Sequence, residues 1–248
     1  MNVMEEPVKK AKIGFVGASP ASSPHHDSFR AFIPEDVDLS FQQETGGGGS
    51  LWAAQGKLDA LIRQCRELIE AHRWEGLILS GGPKEALNPG MSERLRTEIQ
   101  VPVATALRSS AAALKVFDAR RILLMTPVDD RLKQLYREYL AAFGIETLYP
   151  PQTLRVHTDA QKLTPAEVAR MTRETFAAES NVDAIYFQGA LLDPLKVLDQ
   201  LESELQVPIV ASNPAMLWVI LSKLGRRYEI PGYGRILARW PALPAGAW

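Results

Sequence analysis

A two-lobed α/β fold, with parallel sheets and helices on both faces, follows from three observations. Short apolar runs alternate with segments of helical period. The runs end at Gly, Pro or Ser, as strands do when they pass into loops. The pattern also reads twice. The runs IGFVGASP and GLILSGGP are echoed by ILLMTPVDD and AIYFQGAL, and QVPVATA (100–106) is echoed by QVPIVAS (206–212). An order of β, α, β, α throughout calls for parallel strands covered on both faces.

Each element has its own reason. Ile13 to Val16 is an apolar run stopped by Gly17, Ala18, Ser19 and Pro20, so it reads as the first strand. Val37, Leu39 and Phe41 alternate with polar residues, as strand residues do. GGGGS (Gly46 to Ser50) reads as a flexible loop. Leu58, Leu61, Ile62, Cys65, Leu68 and Ile69 recur at helical spacing. Gly76 to Leu79 is a strand leaving through Ser80-Gly81-Gly82-Pro83. A helix from about Ser92 to Ile99 precedes the strand Val101 to Ala104. Ser109 to Phe117 is helical, Arg121 to Met125 is a strand, and Asp129 to Phe143 is a helix capped by Gly144. Ile145 to Leu148 is a strand mirroring Val37 to Phe41. Thr164-Pro165-Ala166-Glu167 reads as a capping box with proline at the first helical position, opening a helix to about Ala178. Ala184 to Phe187 and Val207 to Val210 are strands around a helix from Leu195 to Leu205, and Pro214 to Leu224 closes the fold. The tail PALPAGAW reads as disordered or as a strap. On this reading residues 12–106 and 208–237 form the first lobe and 107–207 the second, with 1–11 and 238–248 as tails.

Composition narrows the function. The chain has 248 residues, 46% hydrophobic and 23% charged, with a net charge of −1. That balance suggests no nucleic-acid or membrane partner. The apolar runs are too short to span a bilayer, and the start MNVMEEPVKKAK lacks the apolar stretch of a signal peptide, so a cytoplasmic location is expected. One cysteine, Cys65, forms no internal disulfide, and its place on an apolar helical stripe makes it a core residue. No phosphate-binding glycine motif is present.

Ligands of parallel α/β sheets bind beyond the carboxyl ends of the strands. The candidate site is therefore the loops Gly17–Pro20, Ser80–Pro83, Thr126–Asp129, Gln188–Leu191 and Ser212–Pro214. His25-His26-Asp27 is a dense titratable cluster near the first of them. His26 is a candidate base, although a solvated loop is the plainer reading, and adjacent histidines make a poor chelate. No metal site is expected. Asp129 and Asp130 open a helix, so capping explains them, with Asp129 as a candidate base. Arg108 stands near the expected rim, where it could steer a carboxylate or be an ordinary surface arginine.

Three segments carry a family resemblance: IGFVGAS followed by DSFRAFIPEDVDLSF, then VPIVASNPAMLWVILSKLG, and Pro231-Gly232-Tyr233-Gly234-Arg235-Ile236-Leu237. They resemble the aspartate/glutamate racemase superfamily, and within it the arylmalonate decarboxylases and maleate isomerases. The resemblance implies a pseudo-symmetric fold with its site between the lobes. It also implies a cofactor-free lyase or isomerase acting on a small carboxylate. That carboxylate is the expected partner, and whether the chain forms a homo-oligomer is left open. The departures bear on mechanism. Where that family carries Gly-Thr-Ser to hold a carboxylate, this chain has Gly81-Gly82-Pro83. Where it carries the proton-donating Cys-Gly-Gly, this chain has Gln188-Gly189-Ala190. Its third-loop tyrosine is missing after Thr126. Glutamine has no pKa near neutrality and cannot replace a thiol in proton transfer. The expected chemistry is therefore activation by desolvation and backbone hydrogen bonds. Gln188, His26 and Asp129 are the candidate catalytic residues. Ser19, Gly81, Gly82, Thr126, Gly189, Ala190, Ser212 and Asn213 are the candidate substrate-binding residues. The alternative is an inactive relative that binds a small carboxylate as a sensor or partner subunit.

Overall fold

The computed structural model describes residues 10–46, 50–150 and 157–246. Residues 1–9 of the expected N-terminal tail, Gly47 to Gly49 of the expected glycine loop and the last two residues of the C-terminal tail lie outside them, and of His25 only the backbone is described.

The chain builds two four-stranded parallel sheets of the same topology. In the first, β1 (Ala11–Gly17) lies between β2 (Val37–Gln43) and β3 (Gly76–Leu79), and β4 (Val103–Thr105) pairs with β3. In the second, β5 (Arg121–Met125) lies between β6 (Glu146–Leu148) and β7 (Ala184–Phe187), and β8 (Ile209–Ala211) pairs with β7. The two central strands of each sheet are apolar almost end to end, which is what strands covered on both faces require. The crossovers are helical. They are α1 (Asp27–Arg30), α2 (Leu58–His72), α3 (Gly82–Leu87), α4 (Met91–Glu98) and α5 (Ala106–Val116), then α6 (Asp130–Ala141), α7 (Pro165–Ala177), α8 (Leu198–Leu205), α9 (Ser212–Lys223) and α10 (Arg235–Arg239).

Two boundaries differ from expectation. Ile209–Ala211, assigned from the sequence to the first lobe, is the edge strand of the second sheet. The return to the first lobe begins only with α9, which packs on β3, β4 and α5. This helix is apolar all round, from Pro214 to Leu221, because it is enclosed between the two halves. Ala11, expected in the tail, is fully buried and opens β1. The described part of the C-terminal tail lies against the core. The Trp218 indole donates to the Pro241 carbonyl, and Leu243 packs on buried neighbours.

The Thr164 capping box forms as its sequence requires: Oγ1 accepts from Glu167 N, and the Glu167 carboxylate accepts from Thr164 N. The Pro-Gly-Tyr-Gly-Arg segment is a clamp. Gly234 N donates to Asp199, and Arg235 N donates to Glu202. Glu202 also accepts from Ile209 N, so one buried carboxylate fixes α10 to both α8 and β8.

Candidate functional site

The strands of both sheets exit toward one cavity of about 500 Å³. Its wall includes members of all five strand-exit loops: Ala18, Ser19 and Pro20; Ser80, Gly81 and Pro83; Pro127 and Val128; Gln188, Gly189, Ala190 and Leu191; Ser212 and Asn213. Parallel strands make this convergence inevitable, because loops leaving the same edge of paired sheets share one space.

Gln188 is the polar centre of the second lobe's contribution. It is 3% exposed. Its backbone N–H donates to Met125 O, and its side-chain Oε1 accepts from Thr126 Oγ1 at 3.1 Å. That bond directs the amide nitrogen away from Thr126 and toward Gly82. A Cβ added at Gly82 would lie 2.3 Å from Gln188 Nε2. Glycine at 82 and glutamine at 188 are therefore sterically linked. Gly81 has φ of +106°, a conformation that side-chain-bearing residues rarely adopt, so the Gly-Gly turn is needed on both counts.

The other candidates divide between wall and support. Ser19, Gly81, Gly189, Ala190, Ser212 and Asn213 line the cavity with His26 and Gln188. The Ser212 hydroxyl pairs with the Tyr186 hydroxyl at 3.1 Å, so it is engaged behind the wall. Gly82, Thr126 and Asp129 are not part of the wall. Thr126 orients Gln188. Asp129 caps α6 through Leu132 N and accepts from the Trp52 indole at 3.1 Å. That second contact carries the Leu51–Ala54 turn across from the first lobe, and the Arg131 guanidinium stacks on the same indole. Arg108 lies over the Phe143 ring and is not part of the cavity wall.

His26 corrects an expectation. Its ring is not solvated: His26 is 6% exposed, stacked on Phe41 at 4.5 Å and edge-on to Phe15, while Asp27 beside it is exposed. A ring held among aromatics beside β1 stays out of water because Phe15, Phe29 and Phe41 form one cluster there.

Several wall residues carry no motif. Lys84, on the first turn of α3, is buried. Its Nζ donates to Ser80 O at 2.7 Å and pairs with the Glu44 carboxylate at 2.5 Å. Both line the cavity. Asn88 donates to Ala54 O and Lys84 O and accepts from Gly56 N, tying the 51–56 turn to α3. His157, Thr158 and Gln161 complete one side. A lysine inside KEAL reads as a solvated helix face, and only the tertiary contact with the end of β2 shows otherwise. Next to it, Glu85 accepts from Thr105 Oγ1, Leu107 N, Arg108 N and Tyr139 Oη. Burial pushes its carboxyl above the usual range, against those four donors. Through Tyr139 it joins α3 to α6.

Cys65 is fully buried on α2, and burial pushes its thiol up to about 12. Among the described residues no group of three or more His, Cys, Asp or Glu could hold a metal ion. Among the same residues no helix is long and apolar enough to cross a membrane.

The arylmalonate decarboxylase family model matches residues 76–237. A maleate isomerase of Nocardia farcinica is 28% identical over 169 residues, which cover 63% of this chain and 66% of that protein. An arylmalonate decarboxylase of Bordetella bronchiseptica is 27% identical over 157 residues, 61% of this chain and 64% of that protein. Each match thus spans just under two thirds of the relative's length. The crystal structure of the maleate isomerase of Pseudomonas putida S16 superposes with a TM-score of 0.78 at 18% identity, covering 97% of this chain and all of that one. At that identity the likeness establishes the fold.

Proposed function

Since the chain belongs to the arylmalonate decarboxylase family, and its one cysteine lies in the core of α2, we infer that it is a lyase or isomerase acting on a small carboxylate without thiol chemistry. The observation that carries this reading is the cavity itself. It is concave, largely apolar and set at the strand exits of both lobes, and it keeps backbone turns at Gly81 and at Gly189-Ala190 beside a fixed amide at Gln188.

The chemistry follows from that lining. A malonate-type substrate has two carboxylates. One, placed against Phe15, Leu58 and Met216, loses hydration and is favoured to leave as carbon dioxide. The electron pair left behind is delocalised into the second carboxylate, where hydrogen-bond donors stabilise the developing enediolate. Gly81, Gly189, Ala190 and the Gln188 amide, all in the cavity wall, would serve as these donors. Gln188 orients and donates but takes no proton. The enediolate carbon must then take up a proton; His26, the candidate base in the wall nearest β1, would deliver it as the conjugate acid and regain one from solvent. Asp129 is retained as a candidate only through its link to Trp52, since its carboxylate caps α6.

One observation favours the second reading, an inactive carboxylate-binding relative. The Gln188 amide fills the space beside Gly82 and is locked by Thr126, which makes the site better suited to holding an anion than to protonating carbon. The test is carbon dioxide release from phenylmalonate and conversion of maleate, both by the unmodified chain. Turnover of either supports the catalytic reading. Binding of both without turnover supports the second.

A further inference from the structure

We propose that Lys84 is the cationic anchor for the ligand carboxylate, and that Glu44 is an internal carboxylate occupying that anchor until a ligand displaces it. This rests on the carboxylate-binding reading above.

A buried ammonium is costly, and an isolated buried ion pair rarely repays its desolvation. Such a pair in a cavity wall calls for a reason beyond stability. The Lys84 and Glu44 side chains are 5% and 11% exposed. The ammonium has three N–H bonds, of which Ser80 O and Glu44 take two. Gly81 lies against the ammonium, where an added Cβ would be 3.3 Å from Nζ. With no side chain there, the approach from the turn is open. Gln188 Nε2 stands against Gly82, the next residue of the same turn. Two donors from opposite lobes thus flank two consecutive glycines, the arrangement a carboxylate with two oxygens can use.

The anchor also supplies what this chain otherwise lacks. The turn has neither of the two hydroxyls that Gly82 and Pro83 replace. Lys57, the other lysine of the wall, is exposed and donates to Gly46 O. Cys65 is within electrostatic reach of Lys84, but its thiol is neutral and leaves the charge uncompensated. Among the described residues Glu44 is the one carboxylate paired with Lys84. It sits just past the end of β2, where the chain turns at Thr45-Gly46, so its side chain can swing without disturbing the sheet.

The test is calorimetric titration with phenylmalonate and with maleate at neutral pH. The proteins are the unmodified chain, Glu44→Gln, and the double variant Glu44→Gln with Lys84→Met. The double variant removes both charges, so it leaves no unpaired buried ion. Circular dichroism and thermal melting confirm that each protein is folded. Glu44→Gln is expected to bind at least one probe about tenfold more tightly, because the competing carboxylate is gone. The double variant is expected to lose that gain and fall below the unmodified chain. Affinity unchanged by Glu44→Gln, a double variant that binds as tightly as Glu44→Gln, or no binding by any of the three proteins would each overturn the assignment. Turnover is followed separately. Turnover with affinities indifferent to both substitutions sinks the anchor and leaves the catalytic reading standing. The expected affinity pattern without turnover does the reverse.

Discussion

At the scale of single residues the candidate site is built from groups that fit one another. Gln188 uses the space left by glycine at 82, and Thr126 fixes its amide. Truncating it removes a buried hydrogen-bond donor. Gln188→Ala is expected to weaken phenylmalonate binding by about 1 kcal/mol, roughly fivefold, in calorimetry. Unchanged affinity would place the ligand elsewhere. Cys65 makes a second residue-scale case. Its thiol, fully buried and pushed up to about 12, carries almost no thiolate at neutral pH. Iodoacetamide is expected to leave the folded protein unmodified, as read by mass spectrometry, and to react once urea unfolds it. Rapid native labelling would contradict the burial. The core role of Cys65 was legible from its helical stripe. Lys84 was not, because the residue that buries it, Glu44, lies forty positions away and no local spacing links the two. His26 was legible as a residue of interest but not as a buried one. Its neighbours Phe15 and Phe41 come from two different strands.

At the scale of elements, the pairing of apolar runs with glycine- or proline-marked exits carried over closely into strands. The boundary at β8 did not, because VPIV has the same composition whichever sheet it joins, and register is decided by contact with β7. The Pro-Gly-Tyr-Gly-Arg segment is a motif whose visible role is structural. Gly234 has φ of +90°, and an added Cβ would lie 2.5 Å from Leu198 Cδ2. Gly234→Ala is expected to cost about 2–4 kcal/mol in urea unfolding, from backbone strain and overpacking together. A loss under 0.5 kcal/mol would refute the clamp. The last turn of α9 gives a pH prediction. Burial, helped by the Arg108 charge, pushes the Lys223 amine down to about 8 from an ordinary 10.5. Its folded pKa lies below the unfolded one, so between these values the unfolded chain binds more protons. The destabilisation is complete below about pH 8 and is relieved as pH rises toward 10.5. Stability should therefore gain with pH across that window, and Lys223→Met should flatten the gain. An identical pH profile in the variant would contradict the assignment.

At the scale of the whole molecule, two sheets of identical order turn the same edge toward one cavity, and α9 and Glu85 hold them together. The repeat in the sequence made this architecture legible, since each half is a unit of the same strands and crossovers. The cavity's far side was not legible. The 51–56 turn and the 157–161 segment arrive from connections with no strand or repeat to mark them. On the proposed function, carboxylate chemistry in this cavity does not pass through a thiol. Installing one by Gln188→Cys should create little on its own, because groups that act as a unit recover little when one is restored. The same substitution clears the nearest atoms beside Gly82, so Gly82→Thr becomes sterically admissible only in that background. The most direct measurement is carbon dioxide release from phenylmalonate by the unmodified chain and by Gln188→Cys, each with and without iodoacetamide. The expected result is turnover by the unmodified chain that the reagent leaves unchanged, and no large gain from Gln188→Cys. An inert unmodified chain, beside a Gln188→Cys variant that turns over robustly and is silenced by iodoacetamide, would contradict it.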